Sequence, residues 1–402
     1  MDGKCYGLLG RKLGHSWSVP IHQALGCPDY RLIELEPDAL NVTIPYKRDV
    51  MPYCDEIDAA ARAIGSVNTI VRRPDGKLCA YNTDAAGFCY MARRAGISFA
   101  GRKAVILGSG GASLTAQACA RQLGARQVVV ISRSGPDNYE TLSRHADADI
   151  VVNTTPVGMY PGNGAAPVDL TAFPACRGVL DVIYNPRRTA LLQQAEALGI
   201  PCSDGLPMLV AQAKAAEEHF FGTAIDDGEN ERILAQLRQE TENIVLIGMP
   251  GCGKTTVGQA LAQKTGREAI DLDKRIAARA GCSIPEIFAR GGEAEFRALE
   301  REETAKAGAL SGKILLTGGG VVKTPENYPS LHQNSRIYHL LRPIEVLPTD
   351  GRPLSQGADL TAMWAEREPL YRRFRDAAIE NTGTVEDTAD AIWRDFCAHS
   401  GD

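Results

Sequence analysis

Short apolar runs alternate with longer amphipathic stretches along almost the whole chain. Tyr6–Leu9, Val105–Leu107, Val128–Ile131, Ile150–Val152 and Val179–Ile183 have the length and β-branched character of strands. Between them, Ser113–Leu123 and Thr189–Leu198 read as crossover helices. Repetition of strand, helix, strand predicts an α/β protein with mostly parallel sheets. The pattern breaks between Thr223 and Glu242, where an acidic, glycine-bearing stretch around Asp226-Asp227-Gly228 gives way to a charged helical run. A fresh strand, Ile244–Ile247, opens a second α/β unit, so the domain junction is expected here. There is no internal repeat and no low-complexity tract.

Composition narrows the function class. A chain of 402 residues exceeds what one core usually serves, so two or three domains are expected. Hydrophobic residues at 44% and charged residues at 23% are ordinary for a soluble globular protein. A net charge of −5 offers no basic footprint for nucleic acid. No stretch approaches the roughly 20 apolar residues of a membrane span, and Met1-Asp2-Gly3-Lys4 has no apolar signal core, so a cytoplasmic protein is expected. The 11 cysteines are odd in number and include no Cys-x-x-Cys pair, which argues against a disulfide framework and against structural zinc. The oligomeric state is left open.

Two different phosphate loops then change the picture. Val105-Ile106-Leu107 runs into Gly108-Ser109-Gly110-Gly111-Ala112. Gly108 permits the tight turn, and Gly110 lets the backbone approach a pyrophosphate at a helix N-terminus. At the end of the next strand, Ser132, Arg133 and Ser134 stand where an NAD site usually places an acid, which favours the 2′-phosphate of NADP. An exposed strand-end arginine without a ligand is the other reading of Arg133. Further on, Ile244–Ile247 runs into Gly248-Met249-Pro250-Gly251-Cys252-Gly253-Lys254-Thr255-Thr256, a complete P-loop. There backbone N–H groups cradle phosphates, Lys254 reaches the β/γ-phosphates, and Thr255 can ligate Mg²⁺. ATP with Mg²⁺ is the expected ligand.

Upstream lies a dense polar set suited to a small polyol carrying a carboxylate: His15-Ser16-x-Ser18, Asn41-Val42-Thr43-x-Pro45-x-Lys47, Val67-Asn68-Thr69 and Asn82-Thr83-Asp84. With Asn153-Thr154-Thr155-Pro156, Tyr184-Asn185-Pro186 and Met208-Leu209-x-x-Gln212 in this order, the region 1–222 resembles shikimate dehydrogenase. The resemblance implies NADPH-dependent reduction of 3-dehydroshikimate, with Lys47 and Asp84 as the catalytic pair. It also implies that Ser16, Ser18, Thr43 and Tyr184 hold the carboxylate end, and that Asn41, Asn68 and Gln212 hold the ring hydroxyls. Asn153, Thr154 and Met208 would line the nicotinamide side, and Gly108, Gly110, Gly111 and Ala112 the pyrophosphate. Two places depart from the family: Val19 separates the second serine from Pro20, and residues 35–40 run straight into Asn41 where a further helix and turn is usual.

Residues 243–402 resemble shikimate kinase through Asp271-Leu272-Asp273, Phe296-Arg297, Gly318-Gly319-Gly320, Gly351-Arg352-Pro353-Leu354 and Arg367-x-Pro369-Leu370-Tyr371. The resemblance implies that Asp271 supports Mg²⁺ with Thr255, that Asp273 holds the reacting hydroxyl, and that Arg297 and Arg367 pair with the shikimate carboxylate. Gly319 and Gly320 would let the backbone approach the ring, and Arg352 in the lid would reach the transferring phosphoryl group. The expected division is a substrate-binding domain over 1–84 completed by 205–235, a Rossmann domain over 85–204, a linker over 236–242 and a P-loop kinase over 243–402. The two activities would be consecutive: reduction creates the 3-hydroxyl of shikimate, and the kinase phosphorylates that oxygen.

Overall fold

A computed structural model describes residues 6–9, 18–27, 31–32, 38–43, 45–347 and 359–400. The chain falls into two compact units, divided between Leu234 and Ala235. The division lies inside a continuous helix, Gly228–Thr241, so most of the expected linker is the second half of that helix.

The first unit holds two sheets. The first is six-stranded and mixed: β1 (Tyr6–Leu9), β2 (Arg31–Leu32), β3 (Ala39–Val42), β4 (Glu56–Ile57), β5 (Thr69–Arg72) and β6 (Leu78–Tyr81), in the order β2-β1-β3-β5-β6-β4. Tyr6–Leu9 therefore belongs to a separate sheet from the other strand runs of this half. Its mixed character comes from the β5–β6 hairpin, whose turn Pro74-Asp75-Gly76 has Gly76 at φ +84°. Proline before a residue pair ending in a left-handed glycine is strong turn chemistry. The second sheet is wholly parallel: β7 (Lys103–Leu107), β8 (Gln127–Ile131), β9 (Ile150–Asn153), β10 (Gly178–Asp181) and β11 (Cys202–Ser203), ordered β11-β10-β9-β7-β8.

Helices of this unit are α1 (Ser18–Ala24), α2 (Ala59–Ile64), α3 (Asp84–Arg94), α4 (Gly111–Gln122), α5 (Ala190–Ala197), α6 (Leu206–Phe221) and the first half of α7 (Gly228–Thr241). Strand alternation feeds two cores. Ala104, Ile106, Ile150 and Val152 point to the side of α3 and α4, while Val105, Leu107 and Val151 point to the side of α5. Each fully buried branched side chain contributes about 1.5–3 kcal/mol. A sheet covered on both faces needs such continuous apolar runs, which is why they stand out in the sequence. Helices α1 and α6 are further joined by His22 and Glu217, both fully buried and in direct contact, with burial lowering the His22 pKa.

The second unit has one parallel sheet: β12 (Asn243–Ile247), β13 (Ala269–Asp271), β14 (Ile314–Leu316), β15 (Ser335–Leu341) and β16 (Ala377–Glu380), ordered β13-β14-β12-β15-β16. Its helices are the rest of α7, α8 (Lys254–Thr265), α9 (Leu272–Ala280), α10 (Ile284–Gly308), α11 (Asn327–His332), α12 (Leu360–Phe374) and α13 (Val385–Ala398). Every residue of β12, the strand feeding the P-loop, is buried. Helix α10 is broken at Gly292, whose φ of 68° and ψ of −165° only glycine adopts readily. The fold class is α/β, with a Rossmann-type sheet in one unit and a P-loop sheet in the other. Among the described residues no helix is long and apolar enough to cross a membrane.

One close approach positions the first site. Helices α3 and α6 pack so tightly that a Cβ on Gly87 would stand 2.4 Å from the Met208 carbonyl oxygen and 3.0 Å from Gln212 Cβ. Gly87→Ala is expected to push the helices apart and destabilise this unit by about 1–3 kcal/mol. Thermal unfolding checks it, and an unchanged midpoint would refute the tight contact.

Candidate active sites

In the mixed sheet, β3 and β6 run the same way and β5 runs opposite, so the end of β3, the start of β5 and the end of β6 share one edge. Asn41 and Thr43, Asn68, and Asn82-Thr83-Asp84 occupy that edge. Lys47 Nζ donates to Asp84 Oδ2 at 2.6 Å, both side chains being largely buried. The Asn68 amide donates to Asp84 Oδ1 at 3.0 Å, Thr83 Oγ1 at 3.0 Å and Gln212 Oε1 at 3.2 Å. Its oxygen accepts from the Thr83 backbone N–H at 2.7 Å. Asn41 turns toward Thr69 Oγ1 at 3.2 Å and the Asn68 carbonyl at 3.3 Å. Lys47, Asn68, Asp84 and Gln212 thus form one connected cluster, and the paired lysine and carboxylate can hold and exchange a proton. Ser18 is buried at the start of α1. Ser16 lies outside the described residues.

The lysine also reaches the dinucleotide turn. A Cβ on Gly111 would stand 3.9 Å from Lys47 Cδ, so the cluster borders the first residue of α4. Gly108 has φ +105°, and a Cβ there would strike Thr154 Oγ1 at 2.8 Å. Gly110 caps α4, with Gly111 and Ala112 in its first turn, so free backbone N–H groups face the turn. Arg133 is exposed at the end of β8 beside half-buried Ser132, a position open to an anionic group. Tyr184 is half-buried, and its hydroxyl pKa is raised by burial.

Asn153, Thr154 and Met208 lie among buried residues of this unit. Asn153 is fully buried, donating to Asp181 Oδ1 at 3.0 Å and accepting from Thr155 Oγ1 at 2.7 Å. Thr154 Oγ1 donates to the Leu107 carbonyl at 2.6 Å. Met208 lies in the α3–α4 core. Thr154, with Asn153 beside it, braces the turn from behind. Asp181, overlooked in the sequence, is the hub of that brace. It also accepts from Thr189 Oγ1 at 2.7 Å and the Ile183 N–H at 3.0 Å, and burial pushes its carboxyl up to about 6. No motif spacing marks its link to Asn153, which parallel pairing of β9 and β10 brings about.

In the second unit the P-loop glycines Gly248, Gly251 and Gly253 all have positive φ, at 143°, 86° and 102°. A Cβ on Gly248 would meet the Leu340 carbonyl at 2.8 Å, and one on Gly253 would meet Asn381 Nδ2 at 2.4 Å. Such a run of glycines leaves backbone N–H groups open to a phosphate. Lys254 Nζ bends back onto the Gly248 and Met249 carbonyls at 2.8 and 3.0 Å. Cys252 is buried under the loop, and Thr255 and Thr256 are exposed at the start of α8. Asn381, which the sequence reading missed, donates to the Cys252 carbonyl at 2.6 Å and accepts from Thr388 Oγ1 at 2.9 Å. Its Asn-Thr-Gly turn after a strand was the available signal. A cavity of about 480 Å³ opens beside the loop, lined by Gly253, Thr256, Arg342, Asn381, Thr382 and Gly383 among others.

Across from the loop, Asp271 caps α9 and Asp273 sits in its first turn. Burial and the Asp271 carboxylate raise the Asp273 pKa, against the pull of Lys254 and Arg297. Arg297 Nη1 donates to Glu300 at 2.7 Å and its Nη2 to Glu293 at 3.0 Å. A Cβ on Gly320 would stand 2.4 Å from Arg297 Nη2, and one on Gly318 2.8 Å from Asp273 Oδ1. Arg367 Nη1 donates to the Gly319 carbonyl at 3.2 Å, as does the Tyr371 hydroxyl. Two guanidinium groups and one carboxylate therefore converge on a glycine ridge. Arg352 lies outside the described residues. Among those described, no cluster of three His, Cys, Asp or Glu side chains forms a metal site.

Comparison with known proteins identifies both halves. Residues 30–70 match the model of the shikimate dehydrogenase substrate binding domain, and residues 250–396 match that of shikimate kinase. A shikimate dehydrogenase (NADP(+)) of Clostridium perfringens is 34% identical over 271 residues, taking in 58% of this chain and 98% of the relative. The chain belongs to the shikimate dehydrogenase family. Behind that part it carries a shikimate kinase domain, so it is a bifunctional shikimate-pathway enzyme, an oxidoreductase joined to a transferase. The 271 aligned positions exceed 58% of this chain, so the relative has residues with no counterpart here. Among solved structures, a chorismate mutase/shikimate 5-dehydrogenase fusion protein from Clostridium acetobutylicum aligns with a TM-score of 0.56 at 33% identity, covering 60% of this chain and 98% of its own. Quinate dehydrogenase from Corynebacterium glutamicum in complex with NAD aligns at 0.53 and 27%, covering 58% and 99%.

The two Asn68 amide hydrogens are shared among three acceptors. Asn68→Ala is expected to cost about 1–3 kcal/mol by leaving buried acceptors unpaired. Thermal unfolding with the kinase activity as a folding control measures it. A loss below 0.5 kcal/mol, on the order of a surface change, would mean that the cluster does not depend on this residue.

Proposed function

We propose that the first unit reduces 3-dehydroshikimate to shikimate with NADPH, and that the second phosphorylates the 3-hydroxyl of shikimate with MgATP. Bound NADPH supplies the hydride and bound MgATP the phosphoryl group. The observation that carries the first half is the Lys47–Asp84 pair bordering Gly111. As the carbonyl carbon of the substrate is reduced, its oxygen gains negative charge and needs a proton. Lys47 Nζ donates that proton, and Asp84, fixed by Asn68, aims the ammonium group. Asn68 and Gln212 lie close enough to bind ring hydroxyls, with Asn41 beside them. Ser16, Ser18, Thr43 and Tyr184 complete the carboxylate end. Ser132 and Arg133 support NADPH over NADH, since a guanidinium pairs well with a phosphate.

In the kinase half Asp273 accepts the hydroxyl proton, Arg297 and Arg367 clamp the carboxylate, and Gly319 and Gly320 admit the ring. Lys254 leaves its carbonyl partners for the phosphates, Arg352 stabilises the charge that builds on the transferring group, and Thr255 with Asp271 would hold Mg²⁺. Small molecules are the partners, in the cytoplasm.

A second reading follows from the residues that the Clostridium perfringens relative has and this chain lacks. It is a working kinase joined to a slowed dehydrogenase, or to one that prefers NAD and quinate. Purified chain given 3-dehydroshikimate and NADPH, then MgATP, distinguishes these. Oxidation followed by shikimate 3-phosphate supports the primary reading. Phosphorylation of added shikimate without NADPH oxidation, or faster turnover of quinate with NAD, supports the second.

Lys47→Ala is expected to lower reduction by roughly 10²–10⁴-fold while leaving phosphorylation intact, and Lys254→Ala to do the reverse. Persistence of either reaction removes that lysine from its role. Because the Asp273 pKa is raised, the base is lost as pH falls at a point above the ordinary carboxylate range. The kinase kcat should therefore drop there, and a profile flat to the ordinary carboxylate pKa would exclude Asp273 as base.

A further inference from the structure

A phosphate loop works through its backbone, and a backbone rich in glycine does not aim itself. The Cys252–Gly253 peptide is trans, so its carbonyl oxygen and its N–H lie on opposite sides of one plane. Gly253 has φ +102°, and glycine takes either sign of φ at little cost. The plane can therefore turn either way. Its direction decides whether an anion in the cradle meets a donor or an acceptor.

One distant side chain settles that direction. Asn381 directly follows β16 and is buried. Its Nδ2 donates to the Cys252 carbonyl at 2.6 Å, so the Gly253 N–H points away from Asn381. Its Oδ1 accepts from Thr388 Oγ1 of α13 at 2.9 Å, which fixes the end of the amide that faces the loop. Its backbone N–H donates to the Leu341 carbonyl, at the end of β15, at 2.7 Å. The residue is thus held from β15 and α13, and it holds the loop in turn. The α8 ladder opens with the Val257 N–H on the Gly253 carbonyl at 2.9 Å, and the Cys252 carbonyl lies one residue before it. A Cβ on Gly253 would stand 2.4 Å from Asn381 Nδ2, so the amide rests directly on the glycine.

We propose that Asn381 is a positioning residue for the phosphate cradle: by holding the Cys252 carbonyl, it keeps the Gly253 N–H turned toward a bound polyphosphate. Thr388 acts one step further back, by orienting the amide. That role rests on the reading of the second unit as a nucleotide-binding kinase. Without the amide, the Cys252 carbonyl is free to swing into the cradle, where its oxygen repels phosphate oxygens, and the Gly253 donor is lost at the same time. The loss falls on ligands that carry phosphates. Shikimate, bound at the glycine ridge with Arg297 and Arg367, is spared.

The test measures ADP binding to the full chain by calorimetric titration, and the shikimate KM at saturating MgATP. Asn381→Ala is expected to weaken ADP binding by roughly five- to tenfold, as one buried acceptor is left unpaired, with the shikimate KM unchanged. Thr388→Val, which removes the donor that orients the amide, should lose a similar factor. Thr388→Ser keeps the hydroxyl and should recover most of it. The Thr388 pair also supplies the measurement should Asn381→Ala fail to fold. ADP affinity unaltered by these changes, or a shikimate KM that rises by the same factor as the ADP Kd, would overturn the proposal. Failure of the unaltered chain to bind ADP would instead count against the nucleotide reading.

Discussion

The constraint on which both sites depend is the common direction of neighbouring strands. Right-handed crossovers bring parallel strands back to start at the same edge, so their carboxyl ends, and the helices that follow, collect at the other. In the P-loop unit this edge gathers Gly248, Asp271 and Gly318 from three adjacent strands. In the mixed sheet the same result is reached differently. The antiparallel β5 begins where β3 and β6 end, so Asn68 joins Thr43 and Asp84 at one rim. Glycines then set how closely elements approach. Gly87 seats α6 on α3, and Gly320 leaves room for a guanidinium.

Electrostatics at the two sites follow from that placement. The ammonium group of Lys47 and the carboxylate of Asp84 meet in a largely buried rim, where the pair neutralises itself. The kinase rim instead places Asp271 and Asp273 near one another and opposes them with Lys254 and Arg297. A raised carboxyl there is the consequence of burial that the arginine and lysine only partly offset.

Much of this was legible in the sequence, for definite reasons. Strands buried on both faces write themselves as apolar runs, so β7, β9, β10 and β12 were visible. Loops that touch phosphate need glycine at fixed spacing, so both turns were visible. What stayed hidden depends on register between distant strands. Pairing of β9 with β10 sets Asn153 against Asp181, a contact that no motif announces. Tyr6–Leu9 reads like the other strand runs of its half but pairs in another sheet, since periodicity carries no partner identity. Asn381 lies 129 residues from the carbonyl that it holds. The charged run before Glu242 read as helical, and it continues as helix through most of the expected linker.

The posture of Lys254 has a further consequence. Its ammonium group is already satisfied by the Gly248 and Met249 carbonyls. A ligand that reaches the loop must therefore outcompete two neutral acceptors before it gains anything from the lysine. A polyphosphate does so readily, because its oxygens carry full negative charge where a carbonyl offers only a dipole. A nucleoside or monophosphate, too short to reach the amine, leaves the latch closed and gains nothing from it. Discrimination by chain length of the phosphate tail is thus built into the resting loop, as an exchange of partners in which only the longer tail has something to offer.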